Sequence, residues 1–145
     1  MNCSQLKLEN QLCFPLYAVS KEITRRYAPF LEPLDLTYTQ YIVMLVLWEE
    51  KNCNVTELGK KLYLDSGTLT PLLKKLESKG YIKRTREESD ERCLSVSLTD
   101  DGEKLQRKAA SVPKAMASCV NLSPDEAKLL YNTLYKILES FRDDA

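Results

Sequence analysis

Between Leu64 and Thr99 the chain sets an amphipathic helix directly before two short strands and loads both with positive charge. The run LDSGTLTPLLKKLE repeats leucine at Leu69, Leu72, Leu73 and Leu76, the spacing of a helix with one buried face. Gly80 stops that helix. Strands are predicted over roughly 81–86 and 93–98, joined by the charged turn Glu87 to Arg92. Residues 71–86 carry Lys74, Lys75, Lys79, Lys83, Arg84 and Arg86 against one acid, Glu77, a local charge of +5. A helix fits the major groove of duplex DNA, and a cationic hairpin beside it reaches phosphates and the minor groove. The segment therefore predicts a winged helix-turn-helix in a mostly α chain with a small β-wing.

The rest of the composition narrows this reading. A chain of 145 residues can bury a real core as one domain. Its net charge of zero, with the cationic segment confined to one region, suits a site-specific binder better than a protein that coats nucleic acid. There is no histidine, which removes finger-type zinc sites and histidine acid–base catalysis, so no metal, no cofactor and no enzyme activity are expected. Cys3, Cys13, Cys53, Cys93 and Cys119 are odd in number and lack a close CxxC pair, unlike a secretory disulfide framework. The longest apolar run, Tyr41 to Trp48, is far below the ~18 residues that span a bilayer. No basic-then-apolar leader opens the chain, so a cytoplasmic location without a membrane partner is expected.

Helical spacing predicts a first helix over 8–30, ended by Pro29 and Pro33. Thr37 and Gln40 form a capping box for a second helix through Trp48, apolar on nearly every side and hence buried. Asn54 with Glu57 caps a third over Val55 to Leu62. The fourth, over 66–79, contains Pro71; its start is placed at Asp65 or Ser66, with a bend at the proline, because a start at Thr70 would stretch the turn before it. Thr99 caps a fifth, with Asp100, Asp101 and Glu103 in its first turn. Ser123-Pro124-Asp125-Glu126 starts a sixth, which shows two apolar stripes, Leu130/Leu134/Ile137/Phe141 and Ala127/Tyr131/Leu138. Two stripes need two partners, so this helix is expected to pack within its own subunit and against a second. The expected plan is one chain, 1–145, with residues 34–99 forming the DNA-binding part and 1–33 and 100–145 the dimerisation helices. A two-fold dimer of this kind places its recognition helices about 34 Å apart and reads an inverted repeat.

LDSGTLTPLLKKLE, the wing pattern DERCLSVSLT over 90–99 and KLENQLCFPLY over 7–17 together resemble the MarR-type winged-helix repressors. With Tyr27, Thr37-Tyr38 and Tyr41, the cysteine-containing motif more narrowly resembles the OhrR-like branch that senses organic hydroperoxides. The resemblance covers essentially the whole chain in order. It implies a homodimeric repressor whose sensing thiol is Cys13, released from its operator when an organic hydroperoxide oxidises that sulfur. Tyr27 and Tyr38 occupy the positions of two phenols that reach the thiolate from the partner subunit, and Tyr17 matches a further tyrosine of the pocket. The chemistry fits: a thiolate attacks the peroxide bond to give a sulfenic acid, and phenol hydroxyls stabilise it without adding charge. Without the resemblance, Cys13 reads as a small buried hydrophobe, and Tyr27 and Tyr38 as core aromatics.

One departure is Pro15, where the pattern has a leucine-like residue. A helix reset to begin near Phe14 would put Cys13 at the positive end of the helix dipole. Cys119 lies within about one residue of the family's resolving cysteine late in the fifth helix, a rotation of about 100°. Cys119 is the preferred partner of oxidised Cys13, against a small cellular thiol or Cys3; Cys53 and Cys93 read as structural.

On the DNA side, Asp65, Ser66, Thr68 and Thr70 stand at the front of the recognition helix, where one of Asp65 or Ser66 must also cap it. Lys74, Lys75, Arg84 and Arg86 either contact phosphates or form a solvated face. Arg92, steadied by Asp90, matches the family's wing-tip arginine in the minor groove. Rival readings are a MarR-like regulator answering a reversibly bound phenolic ligand, a broader oxidative-stress regulator using the same thiol, and a thiol peroxidase. The last lacks a Thr-Cys-Arg-like pocket.

Overall fold

The computed structural model describes residues 3–88 and 90–143, and the side chains of residues 87, 90–92 and 143 lie outside that description. Its elements run α1 (Cys13–Leu31), α2 (Tyr38–Glu50), β1 (Asn52–Asn54), α3 (Val55–Leu62), α4 (Ser66–Ser78), β2 (Ile82–Glu87), β3 (Asp90–Leu98), α5 (Asp100–Ala109), α6 (Val112–Ala117) and α7 (Pro124–Asp143). The fold is a winged helix: mostly helical, with one antiparallel sheet in the order β1-β3-β2. The chain divides into two compact units, one up to Pro113 and one from Lys114 onward.

In the first unit the core is built where the leucine spacing predicts. Leu69, Leu72, Leu73 and Leu76 of α4 are buried together with Val43, Met44 and Leu47 of α2 and Leu58 of α3. Ile82 and Val96 close the core from the wing strands. Helices α2, α3, α4 and α5 begin where a side chain satisfies free N–H groups. Thr37 and Gln40 make both bonds of a capping box on α2. Asn54 accepts from the Thr56 N–H, Asp65 from the Thr68 N–H and Thr99 from the Gly102 N–H. The end of α4 is a Schellman motif: the Gly80 N–H donates to the Glu77 carbonyl and the Tyr81 N–H to Leu76, with Gly80 at φ +81°.

Several expectations need correction. The first helix starts at Cys13, not residue 8, and is preceded by 3-10 turns at Ser4–Leu6 and Leu8–Asn10. Pro15 is the reason: it sits in the first turn, where a missing N–H costs nothing, while its ring blocks a helix reaching back to Gln11. Pro29 does not end α1, which continues to Leu31 and then a 3-10 turn, Glu32–Leu34, that stops where Asp35 turns left-handed at φ 53°. The wing turn is shorter than Glu87 to Arg92, because β3 begins at Asp90 and pairs it with Glu87 across a register shift. A third strand, β1, pairs with Ser95–Ser97 and was not anticipated. The fifth helix breaks after Ala109; Pro113 cannot donate to a carbonyl one turn back, and α6 restarts at Val112 with the proline in its first turn. Pro71 does lie inside α4, with the start at Ser66 as expected.

The second unit contains α7, whose N-terminus carries a full capping box: the Ser123 N–H donates to Glu126 Oε2 at 2.8 Å and the Glu126 N–H to Ser123 Oγ at 3.2 Å. Tyr131 and Tyr135, one turn apart, hold their rings 4.7 Å from each other. Leu129, Tyr131 and Phe141 are well exposed. Among the described residues, no helix is long and apolar enough to cross a membrane.

Candidate functional site

Cys13 is the first residue of α1 and is exposed. An anion at that position meets unpaired N–H groups and the positive end of the helix dipole. Tyr17 follows one turn later on the same side, also exposed, with the Lys21 ammonium 5.2 Å from its ring centroid.

Tyr27 and Tyr38 stand elsewhere. Their ring centroids lie 4.8 Å apart, and Tyr41 joins them at 5.7 Å from Tyr27 and 6.4 Å from Tyr38. Tyr41 in turn meets Trp48 edge-on at 6.3 Å. Burial raises the hydroxyl pKa of Tyr27, and Tyr38 beside it adds to the effect. Burial likewise raises Tyr38 and, with help from Tyr27 and Tyr38, Tyr41. The three hydroxyls stay protonated donors at any ordinary pH. Among the described residues, neither the Tyr27 nor the Tyr38 hydroxyl has a hydrogen-bond partner.

The chain therefore brings Tyr27 and Tyr38 together but not Cys13 with them. Fourteen residues of α1 separate Cys13 from Tyr27, about 21 Å at ~1.5 Å per residue. A thiolate held by these phenols requires a second chain.

Of the other thiols, Cys53 is buried in β1, where desolvation and then the Glu50 carboxylate push its pKa up, away from reactivity. Cys3 and Cys119 are exposed and Cys93 is half-buried. Cys119 is not on a helix: it lies in the turn after α6, its N–H donating to the Met116 carbonyl and its Sγ to Ala115 at 3.5 Å.

The helix-turn-helix is α3, a tight turn and α4. A Cβ on Gly59 would stand 2.8 Å from the Leu64 carbonyl oxygen, so the turn closes only on glycine. Tyr63 takes the left-handed cap, φ 55°, and Asp65 caps α4. The Thr68 N–H donates to Asp65 Oδ1 at 2.7 Å and holds that carboxyl below the usual range. Ser66, Thr68 and Thr70 are exposed along the first turns of α4, with Lys74 and Lys75 further along.

Arg84 is placed differently from its neighbours. Its guanidinium donates to Glu77 Oε1 and its backbone N–H to Glu77 Oε2 at 2.9 Å, so its charge is spent on α4. Arg86 is exposed on β2. Asp90 and Arg92 lie on the backbone of β3, and their side chains fall outside the described residues. Two functional candidates were missed by sequence reasoning, Glu77 and Lys79. In the sequence both are only charges in a basic run, and nothing local marks them as pairing with Arg84 and with the start of α2.

A family model described as "Transcriptional regulator SarA/Rot" matches residues 25–108, more than half of the chain. The organic hydroperoxide resistance transcriptional regulator of Bacillus subtilis is 48% identical over 135 residues, 93% of this chain and 92% of its own. The HTH-type transcriptional regulator SarZ of Staphylococcus saprophyticus is 48% identical over 127 residues, 88% of this chain and 87% of its own. Among solved structures, reduced AbfR bound to DNA shares 41% identity and a TM-score of 0.78 across 97% of this chain and 99% of that one. The disulfide-formed AbfR matches with a TM-score of 0.63 at 39% identity, over 97% of this chain and 95% of that one. AbfR is a protein of Staphylococcus epidermidis. With its winged-helix fold, family match and whole-length relatives, this chain belongs to the SarA/Rot family of MarR-type transcriptional regulators.

Proposed function

We propose that this regulator is a cytoplasmic homodimeric repressor that holds an inverted-repeat operator while reduced and releases it when Cys13 is oxidised by an organic hydroperoxide. The observation that carries the reading is the Tyr27–Tyr38 pair: two adjacent phenols whose hydroxyls have no hydrogen-bond partner among the described residues, with Tyr27 about 21 Å along α1 from the thiol of its own chain at ~1.5 Å per residue. Across a two-fold axis the same pair can serve the partner subunit. The names of the relatives agree with this, since one is an organic hydroperoxide resistance regulator and AbfR has been solved both on DNA and with a disulfide. Exposed Leu12 just before α1, Leu16 and Val19 on α1, and Leu129 and Phe141 on α7 suit burial against a second copy, with 1–33 and 100–145 as dimerisation segments.

In the first step the Cys13 thiolate attacks the outer peroxide oxygen. The O–O bond breaks, the alkoxide leaves as an alcohol on taking a proton, and sulfur is oxidised to a sulfenic acid while the peroxide is reduced. The Tyr27, Tyr38 and Tyr17 hydroxyls and rings orient the thiolate and favour a greasy peroxide. A second thiol, Cys119 in this proposal, then attacks the sulfenic sulfur; a disulfide forms and water leaves. This is a single oxidation rather than turnover, so the protein acts as a switch and not as an enzyme.

On DNA, within residues 34–99, Ser66, Thr68 and Thr70 address base edges and phosphates, Lys74, Lys75 and Arg86 address phosphates, and Arg92 with Asp90 serves the minor groove. Asp65 and Arg84 act as struts for those contacts. The test measures binding to a duplex selected by reduced wild type from a random-sequence pool, before and after cumene hydroperoxide, for wild type and Cys13→Ser. Wild type is expected to let go and Cys13→Ser to hold; release by both at equal dose overturns the reading.

A further inference from the structure

Lys79 follows the last residue of α4, at the end of the basic run, yet its ammonium does not face outward. The side chain is 24% exposed. Its Nζ donates to the Asp35 carbonyl and to Gln40 Oε1 at 3.1 Å, and lies 3.4 Å from Asp35 Oδ1. Two of the acceptors belong to Asp35 in the link between α1 and α2, and the third to Gln40 in the first turn of α2. Asp35 takes the left-handed conformation that closes the 3-10 turn after α1, and Gln40 is 3% exposed among the core side chains.

The same Gln40 oxygen also accepts the Thr37 N–H at 3.1 Å, half of the capping box that starts α2. One oxygen atom therefore closes the first turn of α2 and grips the end of the recognition helix. The first residue of that turn is Tyr38, whose ring packs on Tyr27. A groove of about 440 Å³ has Tyr38, Thr37, Asp35 and Lys79 in a common lining. A second tie, from the Tyr81 hydroxyl to the Leu34 carbonyl at 3.4 Å, joins the same two regions.

We infer that Lys79 is a positioning residue that transmits the state of the Tyr27–Tyr38 pair to the recognition helix through Gln40. The inference rests on the proposed oxidative release. Coupling between distant sites needs an element that both sites bias, and here the element is the first turn of α2. Displacing Tyr38 from Tyr27 moves the backbone on which Thr37 and Gln40 sit. The partly buried ammonium cannot give up an acceptor without cost, so it follows that turn and takes the C-terminal end of α4 with it. A flexible lysine in open solvent would not transmit anything.

The test compares wild type, Lys79→Met and Lys79→Arg on the duplex selected by reduced wild type, before and after cumene hydroperoxide. The quantity read is the ratio of oxidised to reduced Kd, which for a coupled switch is roughly a hundredfold. Lys79→Met is expected to bind within about fivefold of wild type when reduced and to lose at least nine-tenths of the ratio, while Lys79→Arg, which reaches the same acceptors, keeps it. Lys79→Met with the wild-type ratio overturns the inference. Should that variant melt without cooperativity, hydrogen exchange on oxidised wild type decides: the Lys79, Gly80 and Tyr81 amides are expected to exchange faster, and unchanged rates overturn the inference. If wild type itself keeps its DNA after oxidation, the sensing reading fails, not the linkage.

Discussion

Glu77 of α4 and Arg84 of β2 form a three-point clamp: one carboxylate oxygen accepts the Arg84 backbone N–H, and the other accepts Nε–H at 3.2 Å and Nη2–H at 3.1 Å. The clamp ties the wing strand β2 to α4, the second helix of the helix-turn-helix. It also converts an arginine that looks available for phosphate into a strut.

Glu77→Gln is expected to weaken operator binding about tenfold while costing about 1 kcal/mol or less of stability, since the Glu77 side chain is 36% exposed and solvent screens the pair. The salt dependence of binding should stay as in wild type, because no phosphate contact is removed. Titration curves at two salt concentrations, with urea denaturation alongside, check both statements; unchanged affinity would remove the clamp from the mechanism. The pH behaviour follows from the same contact. The Arg84 N–H bonds hold the Glu77 carboxyl below its ordinary 4.5, so its contribution is present above that value and fades as pH falls through the lowered one. Acid unfolding of Glu77→Gln should therefore lose part of the wild-type slope below about pH 4.5.

The tyrosine cluster makes an alkaline prediction of the opposite sense. Burial raises Tyr27, Tyr38 and Tyr41 above the ordinary 10.0, so the folded state keeps protons that the unfolded chain gives up. Their contribution is complete below that value and is lost as pH climbs through the raised ones. In an absorbance titration of phenolate, these tyrosines should ionise late, and Tyr38→Phe should remove one late proton and shift the alkaline unfolding midpoint upward. Phenolate appearing in a single step near the ordinary value contradicts the packing described above.

Much of the fold was legible because its signals are local. Thr37 with Gln40 and Ser123 with Glu126 announce helix starts within four residues, and the α4 leucines announce a buried face within one helix. What stayed hidden depends on partners far away in sequence. Asn52–Asn54 is too short for its alternation to signal a strand and becomes one because Ser95–Ser97 lies alongside. Pro29 looks like a terminator, yet α1 passes through it to Leu31 and a 3-10 turn closes at left-handed Asp35, whose carbonyl accepts from Lys79. The candidate site divides along the same line. Cys13, Tyr27 and Tyr38 were named through a resemblance, but the roles of Glu77, Gln40 and Lys79 lie in contacts that span 7 and 39 residues.

A packing prediction concerns Gly102 in the first turn of α5. A Cβ there would stand 2.2 Å from the Tyr81 carbonyl oxygen and 2.8 Å from Leu98 Cδ1, while the Gly102 carbonyl accepts the Trp48 indole N–H at 2.8 Å. Gly102→Ala must push α5 off the wing base and strain that bond, at a cost of about 2–3 kcal/mol. Thermal melting followed by Trp48 fluorescence reads the effect directly. A melting temperature equal to wild type would mean that α5 does not seat against Tyr81.

The last prediction separates the thiols. Cys53 is buried beside Glu50 with its pKa raised, which makes it a poor nucleophile toward a sulfenic acid, whereas Cys119 is exposed in the turn after α6. The turn matters: off a helix, the direction of the Cys119 side chain is not fixed by helix periodicity. After one equivalent of cumene hydroperoxide, wild type should run as a covalent dimer on a non-reducing gel and return to monomer with dithiothreitol. Cys119→Ser should stay monomeric and accumulate sulfenic acid trapped by dimedone, while Cys3→Ser and Cys53→Ser should behave as wild type. A covalent dimer persisting in Cys119→Ser assigns the second sulfur elsewhere, and the exposed Cys3 is then the residue to remove next.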